Sequence, residues 1–244
     1  MSLFQNIKPP CRITILYLFM GWNFIALGQV NQQNSSNAQN SLGTKKSVKF
    51  QSQSLLEMYL DSARYLADKS PMRAVDFINK AIEESINTNN REKEALAFLI
   101  LGDIQQQLGQ HDLAVENYQK SIKRLSDLKP GKRASGRGEN ERILFRSWKH
   151  AAVSFTELGK YDEALTCINT GINNYSSSVS VSEVLDAKRT LANIYLKQGK
   201  IKESRGLLNE ILLAEQNGKN TPGEIESLLL LAKTFQAQDN QASA

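Results

Sequence analysis

A small residue returns at nearly constant spacing through most of this 244-residue chain. We call these residues the crossing residues: Ser62, Gly102, Ala152, Ala192 and Ala232, with spacings of 40, 50, 40 and 40 residues. A second small residue follows each of them as Ala74, Ala114, Ala164, Ser204 and Ala244. Between the two, the middle three units place Gly109, Gly159 and Gly199. Self-similarity at such a period is typical of a solenoid of stacked supersecondary units.

The segments on either side of each glycine predict a pair of α-helices. Around Gly109 the apolar residues recur at helical spacing: Leu101, Ile104, Leu108, Leu113, Val115, Tyr118 and Ile122. Two helices approach within about 8–10 Å only where the crossing side chains are small. The glycine suits the left-handed end of the first helix. Asp162 and Glu163 then favour the start of the second helix in the third unit, as Ser70-Pro71 does in the first.

These residues resemble the tetratricopeptide repeat family. The resemblance covers roughly residues 54–244 and has its best matches at Phe98, Leu101, Gly102, Gly109, Ala114 and Tyr118, and at Trp148, Ala152, Phe155, Gly159, Tyr161 and Ala164. It implies an all-α fold, an α-solenoid that forms a right-handed superhelix of about four and a half helical hairpins. The repeats are expected at about 54–90, 94–130, 143–178, 184–220 and, incomplete, 224–244. The period of 40, Lys69 at the first turn and Ser204 depart from the family pattern and leave a HEAT-like helical-hairpin solenoid as the alternative.

The resemblance also implies a protein-binding surface. In this family the first helices of successive units line a concave groove, and ligands lie across them. The groove residues expected here are Arg146, Lys149, Arg189, Asn193, Lys197 and Lys233. Such a wall would suit an acidic or carboxylate-ended peptide. Val153 and Leu229 stand where a carboxylate clamp has polar groups, and the same charges also fit a merely solvated helix face.

The N-terminal 28 residues have the features of a secretory signal peptide. Lys8 and Arg12 precede the apolar run 13–27, and Ala26-Leu27-Gly28 provides small residues for cleavage. The apolar run would span about 22 Å as a helix, short of the roughly 30 Å hydrocarbon core, so an uncleaved membrane anchor is the less favoured alternative.

Residues 29–53 form a polar segment, in which 15 of 25 residues are Asn, Gln or Ser. Such a composition buries too little apolar surface to order itself and predicts a flexible linker. A signal peptide followed by a linker places the repeat domain in a periplasmic or extracellular space. If the segment is uncleaved, the repeats are membrane-anchored outside the cytoplasm.

The sequence contains no recognisable catalytic constellation. His111 and His150 have no metal-ligand spacing around them, and no nucleophile elbow or phosphate loop is present. We therefore expect no enzyme activity, no cofactor and no metal site. Cys167 is interpreted as a packed core thiol, and a formal charge of +5 that is scattered along the chain argues against nucleic-acid binding.

The last unit carries the apolar run Leu228-Leu229-Leu230-Leu231, which puts apolar surface on more than one side of its helix. Either another chain covers this surface, or the natural polypeptide continues beyond Ala244. Two functions fit: an exported scaffold that binds a partner peptide or protein, or the sensory input region of a longer membrane signalling protein such as a sensor histidine kinase. A membrane partner is expected only if the chain continues or its N-terminal segment stays uncleaved.

Overall fold

The computed structural model of the protein describes residues 55–126 and 137–242. Three segments lie outside these residues: the predicted signal peptide, the linker at 29–53, and most of 129–138, the ten extra residues that lengthen the spacing between the second and third units. Within them the helices are α1 (55–66), α2 (Pro71–Asn87), α3 (Arg91–Gln107), α4 (His111–Ser126), α5 (Arg137–Glu157), α6 (Tyr161–Tyr175), α7 (Val181–Lys197), α8 (Ile201–Gly218) and α9 (Thr221–Ala242). A 3₁₀ turn at Ser176–Ser178 follows α6, and the described ranges contain no strand. The predicted all-α solenoid is confirmed; its right-handed superhelix stays a prediction.

The turns between the helices follow the local chemistry of the sequence. Gly109, Gly159 and Gly199 have φ of 72°, 72° and 76°, the left-handed conformation that glycine adopts without a Cβ penalty. Pro71 begins α2 directly after Ser70. At α7, Ser180 and Glu183 form a reciprocal capping box, and the hydrogen bonds from Ser180 hold the pKa of Glu183 below its usual value. Short turns of this kind fold each helix pair back into an antiparallel hairpin.

Crossing residues bring the two helices of a hairpin together. A Cβ placed on Gly102 would lie only 2.5 Å from a ring carbon of Tyr118 on α4. Ala152 and Ala192 are completely buried, and the Ser204 hydroxyl on α8 donates a hydrogen bond of 2.7 Å to the carbonyl oxygen of Ala192. Small residues thus allow the close helix crossings that the sequence predicted.

The first hairpin departs from the predicted register by one residue. Ser62 is partly exposed, whereas its neighbour Ala63 is completely buried beside Leu60. Lys69 stands where later units have glycine, and the turn after α1 uses hydrogen bonds from Lys69 and Ser70 to the carbonyl oxygen of Leu66. Without a left-handed residue, the turn is wound differently. The buried small residue of α1 is thus Ala63, one place after the predicted Ser62.

The apolar core runs through successive hairpins. One cluster extends from Leu56 on α1 to Ile194 on α7, and a second joins Leu185, Ala192, Leu208 and Ile211. Helix α7 contributes to both clusters because opposite faces of it pack on the third unit and on α8. Each unit therefore buries apolar surface against its sequence neighbours, as a solenoid requires. Among the described helices, none is long and apolar enough to cross a membrane.

Candidate functional site

The six predicted groove residues lie on three first helices. Helix α5 carries Arg146 and Lys149, and α9 carries Lys233. Helix α7 carries the other three, Arg189, Asn193 and Lys197. Their equivalent places in the repeat bring them to one face, which we call the first-helix face. The structure adds a feature that changes its charge: several of these cations are paired with carboxylates of neighbouring units.

The carboxylate of Asp103 on α3 contacts polar side chains of two other helices, α4 and α5. This carboxylate lies 2.6 Å from Nδ1 of His150, 3.6 Å from the Arg146 guanidinium and 3.0 Å from the Tyr118 hydroxyl, which donates to it. Burial, followed by the nearby Asp103 carboxylate, raises the pKa of Tyr118 far above its usual value. Gln106 of α3 extends this cluster by donating a hydrogen bond of 3.1 Å to the Ser154 hydroxyl on α5. The cluster therefore joins the second and third units.

Asp186 of α7 joins the third and fourth units. Its carboxylate pairs with the ammonium group of Lys149 on α5 and, at 3.2 Å, with the guanidinium of Arg189 one turn along α7. Burial by itself would raise the pKa of Asp186, but the two cations outweigh burial and hold it below its usual value. Lys149 and Arg189 are therefore both paired with a carboxylate of the same chain, that of Asp186.

Arg189 also connects the fourth unit to α9. It pairs with Glu215 on α8, whose side chain is completely buried, and at 2.8 Å with Glu226 on α9. The Ser227 hydroxyl donates a further hydrogen bond of 2.8 Å to Glu215. A Cβ on Gly223 would come within 2.5 Å of the Glu215 carboxylate, so glycine leaves room for the network. A buried carboxylate with these partners is satisfied and holds adjacent helices in register.

We refer to these interactions together as the charged ladder. Its members are Asp103, Arg146, Lys149, His150, Asp186, Arg189, Glu215 and Glu226. The ladder runs across four successive first helices, α3, α5, α7 and α9. It makes much of the first-helix face neutral overall, which the count of cations in the sequence did not predict.

Two carboxylates of the ladder, Asp186 and Glu226, could have been found from the repeat alignment. Arg146, Asp186 and Glu226 occupy equivalent places, six residues before the crossing residues of their units. Lys149 and Arg189 are likewise equivalent to each other, three residues before theirs. In the structure, the carboxylate six residues before one crossing residue pairs with the cation three residues before the preceding crossing residue, as Asp186 does with Lys149 and Glu226 with Arg189. Glu215 gave no such signal, because it lies on a second helix.

Three predicted groove residues keep their polar groups available. Asn193 is partly exposed, and Lys197 and Lys233 are exposed, with no ion pair to either lysine from the described part of the chain. Asn193 and Lys197 lie one turn apart on α7, so they share a face. Lys233 occupies on α9 the place that Asn193 occupies on α7. These three residues form what we call the open cationic patch.

Other chemistry-bearing groups of the described residues serve the structure. Cys167 is 7% exposed, and burial raises the pKa of its thiol to about 11, as expected for a packed core thiol. A cavity of about 320 Å³ opens beside Asp186, Arg189 and Glu226, between the starts of α7 and α9. No group of three or more His, Cys, Asp or Glu side chains in residues 55–126 and 137–242 is arranged to hold a metal ion.

Comparison with known proteins places this geometry in a fold family. The family model of the tetratricopeptide repeat matches residues 95–124, which form most of α3 and α4. No curated protein matches the chain. Among solved structures, the TPR-like repeats of a putative kinesin light chain from Podosopora anserina superpose with a TM-score of 0.58 at 18% identity, over 77% of this chain and 89% of that chain. The chain has the fold of a tetratricopeptide solenoid.

Two further structures resemble this tetratricopeptide solenoid. BtubC (BKLC) from P. vanneervenii superposes with a TM-score of 0.52 at 14% identity, over 75% of this chain and 82% of that chain. A signal-transduction ATPase with numerous domains and a tetratricopeptide repeat sensor, from Pyrococcus horikoshii, gives a TM-score of 0.59 at 17% identity, over 75% of this chain and 27% of that chain. A tetratricopeptide fold is generally a non-catalytic scaffold for protein interaction.

Proposed function

We propose that this tetratricopeptide solenoid is an exported protein-interaction module. In the proposal, the first helices α3, α5, α7 and α9 form a groove, and an extended segment of a partner protein lies across it. The observation that carries the proposal is the first-helix face itself, where ion pairs link polar side chains of four successive first helices. An extended chain offers backbone amides and carbonyls to such a surface at regular intervals.

The open cationic patch is the proposed anchor for an acidic or carboxylate-ended segment. Lys197 and Lys233 are exposed, and they are not paired with a carboxylate within the described residues. A ligand carboxylate gains a charge-assisted hydrogen bond from either lysine without displacing an intramolecular partner. Asn193 lies one turn from Lys197 on α7, at the place equivalent to that of Lys233 on α9, and has an amide that can bond to the ligand backbone.

The ladder cations have a different role in this proposal. Lys149 and Arg189 already contact Asp186, so a ligand carboxylate would have to compete with it. Arg146 pairs with Asp103 more loosely, at 3.6 Å, and its side chain remains 47% exposed. We therefore assign Lys149 and Arg189 to holding the units together, and Arg146 to the edge of the binding surface. Reversing the charge of Lys149 or Arg189 would disturb the solenoid itself and would not test ligand binding cleanly.

The test uses an acidic peptide of defined chemistry. A fluorescein-labelled peptide of alternating glutamate and leucine with a free terminal carboxylate is titrated with the full chain, and anisotropy reports binding. We expect the double variant Lys197→Glu and Lys233→Glu to bind about ten-fold more weakly or worse, because two attractive charges become repulsive. Raising the salt concentration should weaken wild-type binding.

The matched control changes the same charges on second helices. Lys123 on α4 and Lys202 on α8 are exposed and lie off the first-helix face, so Lys123→Glu with Lys202→Glu gives the same net charge. The control variant should bind like wild type. Equal weakening by both double variants would indicate an unspecific charge effect, and unchanged binding by the Lys197 and Lys233 variant would refute the proposed anchor.

A further inference from the structure

An exposed carboxylate lies next to the open cationic patch. Glu157 on α5 occupies the place that Lys197 occupies on α7, five residues after the crossing residues Ala152 and Ala192. Both side chains are exposed, and neither forms an ion pair within residues 55–126 and 137–242. Equivalent places of two successive units therefore offer a ligand opposite charges.

The ion pairs of the charged ladder show which places of neighbouring first helices lie opposite each other. Asp186 pairs with Lys149, the residue 37 positions earlier, and Glu226 pairs with Arg189 at the same separation. Helices α5, α7 and α9 also contact one another in chain order. The same offset of 37 residues therefore relates the remaining places of the first-helix face.

At this offset the exposed polar groups form two rows across the face. Within one residue of it, Asn193 lies opposite Glu157, and Lys233 lies opposite Lys197. The row on α7 and α9 thus has two lysines side by side, whose mutual repulsion an anion between them would relieve. The row on α5 and α7 differs, because it has a carboxylate beside an uncharged amide. The charge of the face changes sign from one row to the next.

We propose that the partner segment carries a basic residue three positions before its anchoring carboxylate. This inference rests on the proposed function, because the carboxylate must bind at Lys197 and Lys233 for the basic residue to reach Glu157. Neighbouring helices lie about 8–10 Å apart, and an extended chain advances about 3.3 Å per residue, so one step from α7 to α5 spans about three residues. The partner is therefore dipolar, with a basic group and an acidic group at a fixed spacing.

Glu157 also selects against purely acidic segments. A segment with a carboxylate in place of the basic residue would bring a second negative charge to Glu157, and like charges at an interface reduce affinity. The two lysines alone would accept any carboxylate. Glu157 is thus a residue that determines specificity.

Fluorescence anisotropy with three labelled peptides tests the proposal. The peptides end in Lys-Leu-Leu-Glu, Ala-Leu-Leu-Glu and Glu-Leu-Leu-Glu, each with a free terminal carboxylate, and each is titrated with the full chain. Wild type should bind the lysine peptide about two- to five-fold more tightly than the alanine peptide, as expected for an exposed ion pair, and the glutamate peptide least tightly. Glu157→Lys should reverse this order. A peptide ending in Lys-Ala-Leu-Leu-Glu should lose the gain, because neighbouring side chains of an extended segment point to opposite sides.

The matched control is Glu210→Lys. Glu210 is exposed on the second helix α8, so this variant has the same net charge as Glu157→Lys and should keep the wild-type order of the peptides. Three results would overturn the inference: wild type that binds the three peptides equally, an order that Glu157→Lys leaves unchanged, or a reversal by Glu210→Lys as well. The proposed function would survive these results if Lys197→Glu with Lys233→Glu still weakens binding of all three peptides. Unchanged binding by that double variant, or no binding of any peptide to wild type, would overturn the acidic anchor and this inference together.

Discussion

At the scale of single residues, Gly102 and Gly206 differ in the space that surrounds their Cα atoms. A Cβ on Gly102 would overlap the ring of Tyr118, which is completely buried and bonded through its hydroxyl to Asp103 and Gln106. A Cβ on Gly206, in the exposed part of α8, would meet no atom within 4 Å. The repeat pattern predicted that Gly102 must be small. The pattern did not predict that the Tyr118 ring beside Gly102 is held by a hydrogen bond to Asp103, a member of the charged ladder.

Replacing each of these glycines by alanine should therefore change stability in opposite directions. We expect Gly102→Ala to lower the free energy of unfolding by about 1–3 kcal/mol, because the Tyr118 ring must move out of a packed position. Gly206→Ala should raise it by about 0.5–1 kcal/mol, because alanine loses less backbone entropy in a helix. Urea unfolding followed by circular dichroism measures both changes. A Gly102→Ala protein as stable as wild type would mean that the crossing is looser than described.

At the scale of helices, the sequence predicted the elements more reliably than their ends. The glycines at 109, 159 and 199 identified three turns, because only one residue type adopts that conformation without strain. In the first hairpin the helix start at Pro71 was predicted correctly, but the buried small residue was assigned one place too early, at Ser62, where Ala63 is the buried one. The charged ladder was not predicted from the sequence, because pairing between Lys149 and Asp186 depends on which helices become neighbours.

The end of α8 offers a test of turn chemistry within one helix. Lys219 has φ of 54° and ψ of 37°, a left-handed conformation that costs a residue with a Cβ roughly 1–2 kcal/mol. We expect Lys219→Gly to stabilise the protein by about 0.5–1 kcal/mol. Lys202→Gly is the control: Lys202 is exposed in the first turn of α8, where glycine should destabilise by up to about 1 kcal/mol. Thermal unfolding midpoints should therefore move in opposite directions; a shared direction would contradict the assigned conformation of Lys219.

At the scale of the whole molecule, the repeat domain and the N-terminal 53 residues require separate tests. The solenoid could be predicted because its period recurs through the chain and each unit supports the assignment of the others. The binding face was harder to predict: six cationic or amide residues were assigned to the groove, and the structure pairs Arg146, Lys149 and Arg189 internally. Repeat spacing places a residue on a face, but the partners of that residue depend on the neighbouring unit.

Export is the prediction that concerns the N-terminal segment. We expect the native host to cleave the chain after Gly28, so that mature protein begins at Gln29, because basic residues and a short apolar run precede small residues there. N-terminal sequencing of the protein from fractionated cells measures this directly. A chain truncated to begin at Gln29 after a new methionine provides the control and should remain in the cytoplasm. Intact Met1 on cytoplasmic wild-type protein would contradict export.

The packing of α9 against α7 and α8 has a kinetic consequence. Within the described residues, α3 to α8 have packed helices on both sides along the chain, whereas α9 packs against the helices that precede it. Local opening of α9 therefore breaks fewer contacts than opening of α5 or α7, and units of low local stability exchange their amide hydrogens first. Because the contacts are also local in sequence, folding can begin at an inner hairpin and spread outward. Among α3 to α9 of the described residues, α9 is then the last helix to order and the first to open.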